Sequence, residues 1–172
     1  ISYLRSMPNL TIVSPKTPAE LMEALKLYER IPGPLAIRYP KGYGPAKAQA
    51  PKIAPGRWDV ISDGADGMIL AVGQMVPIAL ETSRLLAEHG YAVGACHARF
   101  IKPLDEAMLG RLIHRSGWFF TLEDNVLSGG FGSAVLEYLK QRDANLHIQC
   151  FGFPDAFLPQ MTIESLFDQY GL

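Results

Sequence analysis

Cysteine is scarce in this chain. Cys96 and Cys150 are the only two in 172 residues, which excludes a disulfide framework. Each sits among apolar, β-branched or aromatic neighbours, so both read as buried thiols of a reducing compartment. The four histidines (His89, His97, His114 and His147) share no metal-ligand spacing, and none pairs with a cysteine at finger distance. No metal site and no catalytic histidine is therefore assigned. An excess of charge is lacking too: 16 basic residues stand against 17 acidic ones, a formal net charge of −1. Nothing here draws the chain to nucleic acid or to an anionic membrane. No apolar stretch approaches the roughly 18 to 20 residues of a membrane helix. The N-terminus shows no basic segment followed by an apolar run, so no signal peptide is visible and the cytoplasm is the default. Neither phosphate-loop fingerprint, Gly-x-x-x-x-Gly-Lys-Ser/Thr nor Gly-x-Gly-x-x-Gly, occurs.

What is present reads as globular, with 48% apolar and 19% charged residues. The chain opens on Ile1 and runs into a short strand at Leu10-Thr11-Ile12-Val13. Thr17-Pro18-Ala19-Glu20 then starts a helix: Thr17 caps, Pro18 suits the first helical position, and Glu20 stands where a capping box wants it. Leu21, Leu25 and Tyr28, with Ala24 beside them, are expected on its apolar face. Pro32-Gly33-Pro34 stops it, and Leu35-Ala36-Ile37-Arg38-Tyr39 follows as a strand ended by Pro40. One helix and two short apolar runs are too little to close a core. Residues 1–42 are therefore expected to be the tail of a larger domain. Residues 43–57, with three prolines and two glycines, read as an interdomain linker, a long surface loop being the alternative.

From Trp58 the pattern alternates between strand and helix. Trp58–Ile61 reads as an edge strand and Met68–Val72 as a buried one. A helix over 75–88 carries Val76, Ala79, Leu80, Leu86 and Ala87 on one side. Further strands are expected at 91–96, 118–122 and 147–151. Helices are expected from Pro103 to about His114 with Leu104, Met108 and Leu112 aligned, from the glycine turn at 128–132 to Lys140, and over 163–170. Apolar strands interleaved with amphipathic helices predict an α/β fold for 58–172, a mostly parallel sheet with helices on both faces. The tail of a second α/β domain would precede it.

Three places are candidates for chemistry. The turn Ser128-Gly129-Gly130-Phe131-Gly132-Ser133 offers helix N-terminal amides to an anion, or lets the helix pack closely on the sheet. Glu123-Asp124-Asn125 follows a strand at its carboxyl end, where open sheets place ligands. It is a cation or pKa-shifting pair, or else a solvated loop or interface pair. Arg38-Tyr39-Pro40-Lys41-Gly42 sends two cations out of a strand end beside a fixed turn. Lys41 and Arg38 either meet a phosphate oxygen there or form a salt-bridged domain edge.

Taken in order, five segments carry a resemblance. They are Ser2-Tyr3-Leu4-Arg5-Ser6-Met7-Pro8-Asn9; Ala36-Ile37-Arg38-Tyr39-Pro40-Lys41-Gly42; Ala98-Arg99-Phe100-Ile101-Lys102-Pro103-Leu104-Asp105; Leu122-Glu123-Asp124-Asn125 with Gly129-Gly130-Phe131-Gly132-Ser133; and Phe153-Pro154-Asp155-Ala156-Phe157-Leu158-Pro159-Gln160. Together they resemble the C-terminal third or less of the 1-deoxy-D-xylulose-5-phosphate synthases, a family of transketolase-like enzymes. The resemblance implies that 1–42 ends the pyrimidine-binding domain, that 43–57 links, and that 58–172 is the transketolase C-terminal domain. It implies a transferase that depends on thiamine diphosphate and Mg²⁺, acts as a homodimer, and condenses pyruvate with glyceraldehyde 3-phosphate as CO₂ leaves. Its product would feed isoprenoid, thiamine and pyridoxal synthesis. The metal motif, the glutamate that activates the cofactor and the active-site histidine would all lie upstream of Ile1. This chain would then hold no catalytic or cofactor-binding residue, and alone it would be inactive. Lys41, where most relatives carry Arg, is implied to contact the substrate phosphate. Pro159-Gln160-Met161 also departs from the family's usual Pro-His-Gly or Pro-Gln-Gly. Two other readings compete: the β subunit of a 2-oxo acid dehydrogenase, and a non-catalytic α/β dimerisation or binding module.

Overall fold

A computed structural model describes residues 1–40, 52–142 and 146–172. The first segment holds helix α1 (Ser2–Arg5), strand β1 (Thr11–Val13), helix α2 (Pro18–Leu25) and strand β2 (Leu35–Ile37). The remainder runs β3 (Asp59–Ser62), β4 (Gly67–Ala71), α3 (Val76–Glu88), β5 (Val93–His97), β6 (Phe100–Lys102), α4 (Glu106–Ile113), β7 (Trp118–Val126), α5 (Phe131–Gln141), β8 (His147–Phe153) and α6 (Ile163–Tyr170).

Two sheets form. The larger has the order β3-β5-β4-β7-β8. Its β4, β5, β7 and β8 are mutually parallel, and β3 joins as an antiparallel edge, as its position before the alternating units suggests. The smaller sheet is β2-β1-β6. There β1 pairs in parallel with β2 and antiparallel with β6, so the strand Phe100–Lys102 completes the sheet of the N-terminal segment.

The central strands explain the two-sided packing. In β4, Met68 and Leu70 point into one core and Ile69 and Ala71 into the other. In β7, Phe119 faces the first core and Phe120 and Leu122 the second. A period of two on a strand buried on both faces gives an apolar run without visible alternation. The first core gathers Leu109 and Leu112 of α4 and Phe131, Val135 and Leu139 of α5. It also takes in Ile12, Val13, Ala24 and Leu27 of the N-terminal segment, so that segment shares its core with residues 58–172. The second core is covered by Val76 and Ala79 of α3, with Phe167 of α6 against it.

Helix ends follow the expected capping chemistry. Thr17 Oγ1 accepts from Glu20 N at 3.1 Å, Asp105 Oδ1 from Met108 N at 2.9 Å, and Thr162 Oγ1 from Ser165 N at 3.2 Å. His89 and His114 cap the C-termini of α3 and α4.

Several expectations are corrected. The buried face of α2 is Glu20 and Ala24, continued by Leu27, whereas Leu25 and Tyr28 are 52% and 77% exposed. Glu20 completes no capping box. Its carboxylate accepts from Lys16 N at 2.7 Å and from Arg99 Nε at 2.6 Å, and these buried partners turn the helix through part of a turn. In α3, Leu80 and Ala87 are exposed, because the face laid on the sheet is that of Val76 and Ala79, with Ile78 beside them. Cys96 is buried and Cys150 only partly, and both are free thiols. Burial pushes the Cys96 thiol up to about 12. Of the segment read as a linker, 43–51 lies outside the described residues, while Ile53 is buried in the first core.

Candidate functional site

In the large sheet the chain goes from β4 outward to β5, then returns across β4 to β7. The carboxyl ends of β4 and β7 therefore flank the point where strand order reverses, the place where open α/β sheets bind ligands. Two short segments stand there: Gly73-Gln74 after β4, and Glu123-Asp124-Asn125 in the irregular stretch of β7 between Leu122 and Val126. Gly73 has φ +51°, and a Cβ on it would lie 2.3 Å from Ser14 Oγ, so only glycine lets the β4 end pass the N-terminal segment so closely. From the small sheet, the end of β2 delivers Arg38 to the same place.

These pieces lock together. Arg38 Nη1 donates to Asp124 Oδ1 at 2.7 Å, and Arg38 Nη2 to the Asp124 carbonyl oxygen at 2.9 Å. The other Asp124 carboxylate oxygen accepts from Gln74 Nε2. The Asp124 side chain is 5% exposed and that of Arg38 29%, so the carboxylate is buried while part of the Arg38 side chain stays exposed. A cavity of about 280 Å³ opens beside this cluster. Arg38, Tyr39, Gln74 and Asp124 contribute polar groups to its lining, and Phe153 and Phe167 apolar ones. A guanidinium beside an apolar surface suits a small, partly anionic metabolite.

Glu123 and Asp124 have separate environments. Glu123 is fully buried, and its carboxylate accepts Phe131 N and Gly132 N, each at 2.8 Å. It is the anion at the N-terminus of α5, satisfying the amides that start that helix. Burial raises its pKa, and those two N–H donors and Asn125 oppose the rise. The solvated-loop alternative is thereby excluded. Phosphate is excluded from the glycine turn as well, because the chain's own carboxylate fills the nest. Close packing also decides these glycines: a Cβ on Gly130 would lie 2.4 Å from a Glu123 oxygen, and one on Gly132 would lie 2.7 Å from Thr121 Oγ1.

Of the two cations singled out from sequence, Arg38 stands in this cluster and Lys41 lies outside the described residues. Gln74 and the wall from α6 were missed. The only signal for Gln74 was its place just after a glycine that ends a buried strand. Among the described residues, no group of three or more His, Cys, Asp or Glu side chains is placed to hold a metal. Thiamine diphosphate with Mg²⁺ also fails to fit what is described. The helix N-terminus that would take a pyrophosphate is occupied by Glu123, and the Asp124 carboxylate is engaged by Arg38 and Gln74.

A doubly wound sheet with this switch-point cluster defines a class. The chain belongs to the transketolase C-terminal domain family, which matches residues 56–172. Within it, the sequence is similar to 1-deoxy-D-xylulose-5-phosphate synthases. It is 43% identical to that of Pelotomaculum thermopropionicum over 175 residues and 39% identical to that of Clostridium tetani over 173. These alignments take in 99% and 100% of this chain but 28% of each relative, so the chain spans under a third of their length. Among solved structures it is similar to a split-gene transketolase described as an inactive β4 tetramer. That match has a TM-score of 0.91 at 30% identity, over 99% of this chain and 56% of that one. It shares the fold of the transketolase of Campylobacter jejuni, with a TM-score of 0.71 at 19% identity over 99% of this chain and 25% of that one.

Proposed function

We propose that this chain is the C-terminal part of a thiamine diphosphate and Mg²⁺ dependent synthase. The whole enzyme would join pyruvate to glyceraldehyde 3-phosphate, forming 1-deoxy-D-xylulose 5-phosphate as CO₂ leaves, in the cytoplasm and as a homodimer. Residues 1–42 are its pyrimidine-binding domain's tail, 43–57 the link, and 58–172 its transketolase C-terminal domain. The observation that carries this is the reach of the similarity. Residues 1–55 lie outside the transketolase C-terminal match, yet the synthase relatives align along 99% of the chain or more. A chain related to them only through a shared C-terminal domain would lose the alignment at residue 56.

Within that enzyme, the part assigned to this chain is recognition of the substrate phosphate by the basic end of β2. Arg38 is held at the switch-point cavity with its side chain partly exposed. Lys41 follows it in sequence by three residues and supplies a point charge where an arginine would supply a fork. The carbon chemistry belongs to the cofactor, bound by parts of the enzyme other than the residues described here.

The test uses the intact synthase carrying these residues. Lys41→Ala raises the KM for the phosphorylated aldehyde roughly ten- to a hundredfold, the equivalent of one lost charge-assisted contact, and leaves that for pyruvate nearly unchanged. Equal effects on both substrates contradict the phosphate role.

A further inference from the structure

The resemblance assigns nothing to Asp124 or Gln74, yet they form the best-defined polar constellation at the switch point. Three strand ends from two sheets meet there: Arg38 after β2, Gln74 after β4 and Asp124 in β7. Asp124 is the hub. One carboxylate oxygen and its own carbonyl take the two arms of the Arg38 guanidinium, and the second carboxylate oxygen takes the Gln74 amide. No water-exposed surface is needed to orient it, because it is 5% exposed. The Arg38 backbone N–H donates to Val13 O at 2.8 Å, so the anchored side chain sits on the last hydrogen-bonded rung of the parallel β1–β2 pair.

We infer that Asp124 is a positioning residue: it grips Arg38, with Gln74 fixing its carboxylate, and so holds the basic end of β2 against the switch-point cavity. Three physical points support this. A two-armed guanidinium contact, to a carboxylate oxygen and to a main-chain carbonyl, fixes direction as well as distance, which a lysine in place of Arg38 would not. The bond also spans 86 residues, so it ties the N-terminal segment to the large sheet at the edge of the cavity. Finally, Asp124 takes two of the five guanidinium N–H groups, and the partly exposed Arg38 side chain also lines the cavity, where an anionic ligand would meet it. Asp124 touches no reacting group in this assignment and acts through Arg38.

Asp124's part in substrate binding rests on the synthase reading above, whereas its hold on Arg38 does not. The experiment therefore has two arms. In the 172-residue chain, amide hydrogen exchange at Arg38 is measured for wild type, Asp124→Asn and Gln74→Leu. Asp124→Asn speeds exchange at Arg38 about tenfold while amides of β4 and β7 hold their rates; Gln74→Leu, which leaves the charge pair in place, has a smaller effect of the same sign. In the intact synthase, Asp124→Asn raises the KM for the phosphorylated aldehyde about tenfold with kcat and the KM for pyruvate within about twofold, and Asp124→Glu recovers part of the loss. Unchanged exchange at Arg38 in Asp124→Asn overturns the positioning role, and so does an equal rise in both KM values. Lys41→Ala separates the two ideas. If it has no selective effect, the phosphate reading fails and takes the substrate half of this inference with it, while the exchange arm decides the rest. If it is selective and Asp124→Asn is not, only the role given to Asp124 fails.

Discussion

His97 shows how a single buried residue ties this fold to pH. Its Nε2 lies 3.0 Å from Ser14 O, and its Nδ1 has no partner and faces Glu20 Oε1 at 3.6 Å. Arg99 Nε donates to that same Glu20 oxygen at 2.6 Å, while Lys16 and Arg99 both pair with Asp59. Burial, followed by the nearby charges of Arg99 and Lys16, holds the imidazole well below its ordinary value of 6.5. The folded chain therefore favours neutral His97. Above pH 6.5 that preference contributes fully; as pH falls below 6.5 the unfolded chain takes up the proton first, and stability is lost toward the depressed folded value. Between about pH 7.5 and 5.5 this group alone removes at most about 1.4 kcal/mol. In urea unfolding, wild type should lose that much more stability over this range than His97→Gln; parallel losses in the two proteins contradict the assignment. Sequence gave no hint of this cluster. Its members are spread over positions 14, 16, 20, 59, 97 and 99, and only side-chain contacts between segments distant in sequence unite them. Glu123 was visible as a strand-end acid, but its use as the anion of the α5 N-terminus depends on a β7 longer than its apolar run, extending to Val126.

Elements whose ends are set by local chemistry were legible, and those set by long-range pairing were not. Thr17 marks a helix start that the structure keeps, because a cap needs only residues three positions apart, and the last helix begins at 163 as expected, whereas the helix expected from Pro103 begins at Glu106, after the Asp105 cap. Strand β6 was unreadable: three residues, Phe100–Lys102, become a strand only by pairing with β1, about ninety positions earlier. The face of α2 was misjudged for the same reason. Its apolar side chains suggested one buried stripe, and the buried salt bridge of Glu20 with Arg99 selects another. Helix α2 still owes its start to the Thr17 hydroxyl. Thr17→Ala should destabilise the chain by about 1 kcal/mol, read as a lower midpoint in thermal unfolding. An unchanged midpoint would show that Pro18 and the Glu20 contacts set the helix without the cap.

At the scale of the whole molecule, the described residues assemble one complete layered sheet and, packed against it, a three-stranded sheet that borrows β6. The mostly parallel sheet with helices on both faces was legible because apolar strands alternated with amphipathic helices. The switch-point cluster was half legible: Arg38 and Asp124 stood out as strand-end charges, and their contact did not. The proposal that this chain is the rear of a larger synthase has a direct thermodynamic consequence. The α5 N-terminus is filled by Glu123 and the Asp124 carboxylate is claimed by Arg38 and Gln74, so neither those amides nor that carboxylate is open to the diphosphate or the metal of the cofactor. Calorimetric titration of the isolated 172-residue chain with thiamine diphosphate and Mg²⁺ tests this most directly. No binding heat is expected beyond dilution; saturable binding with a micromolar dissociation constant would contradict the account.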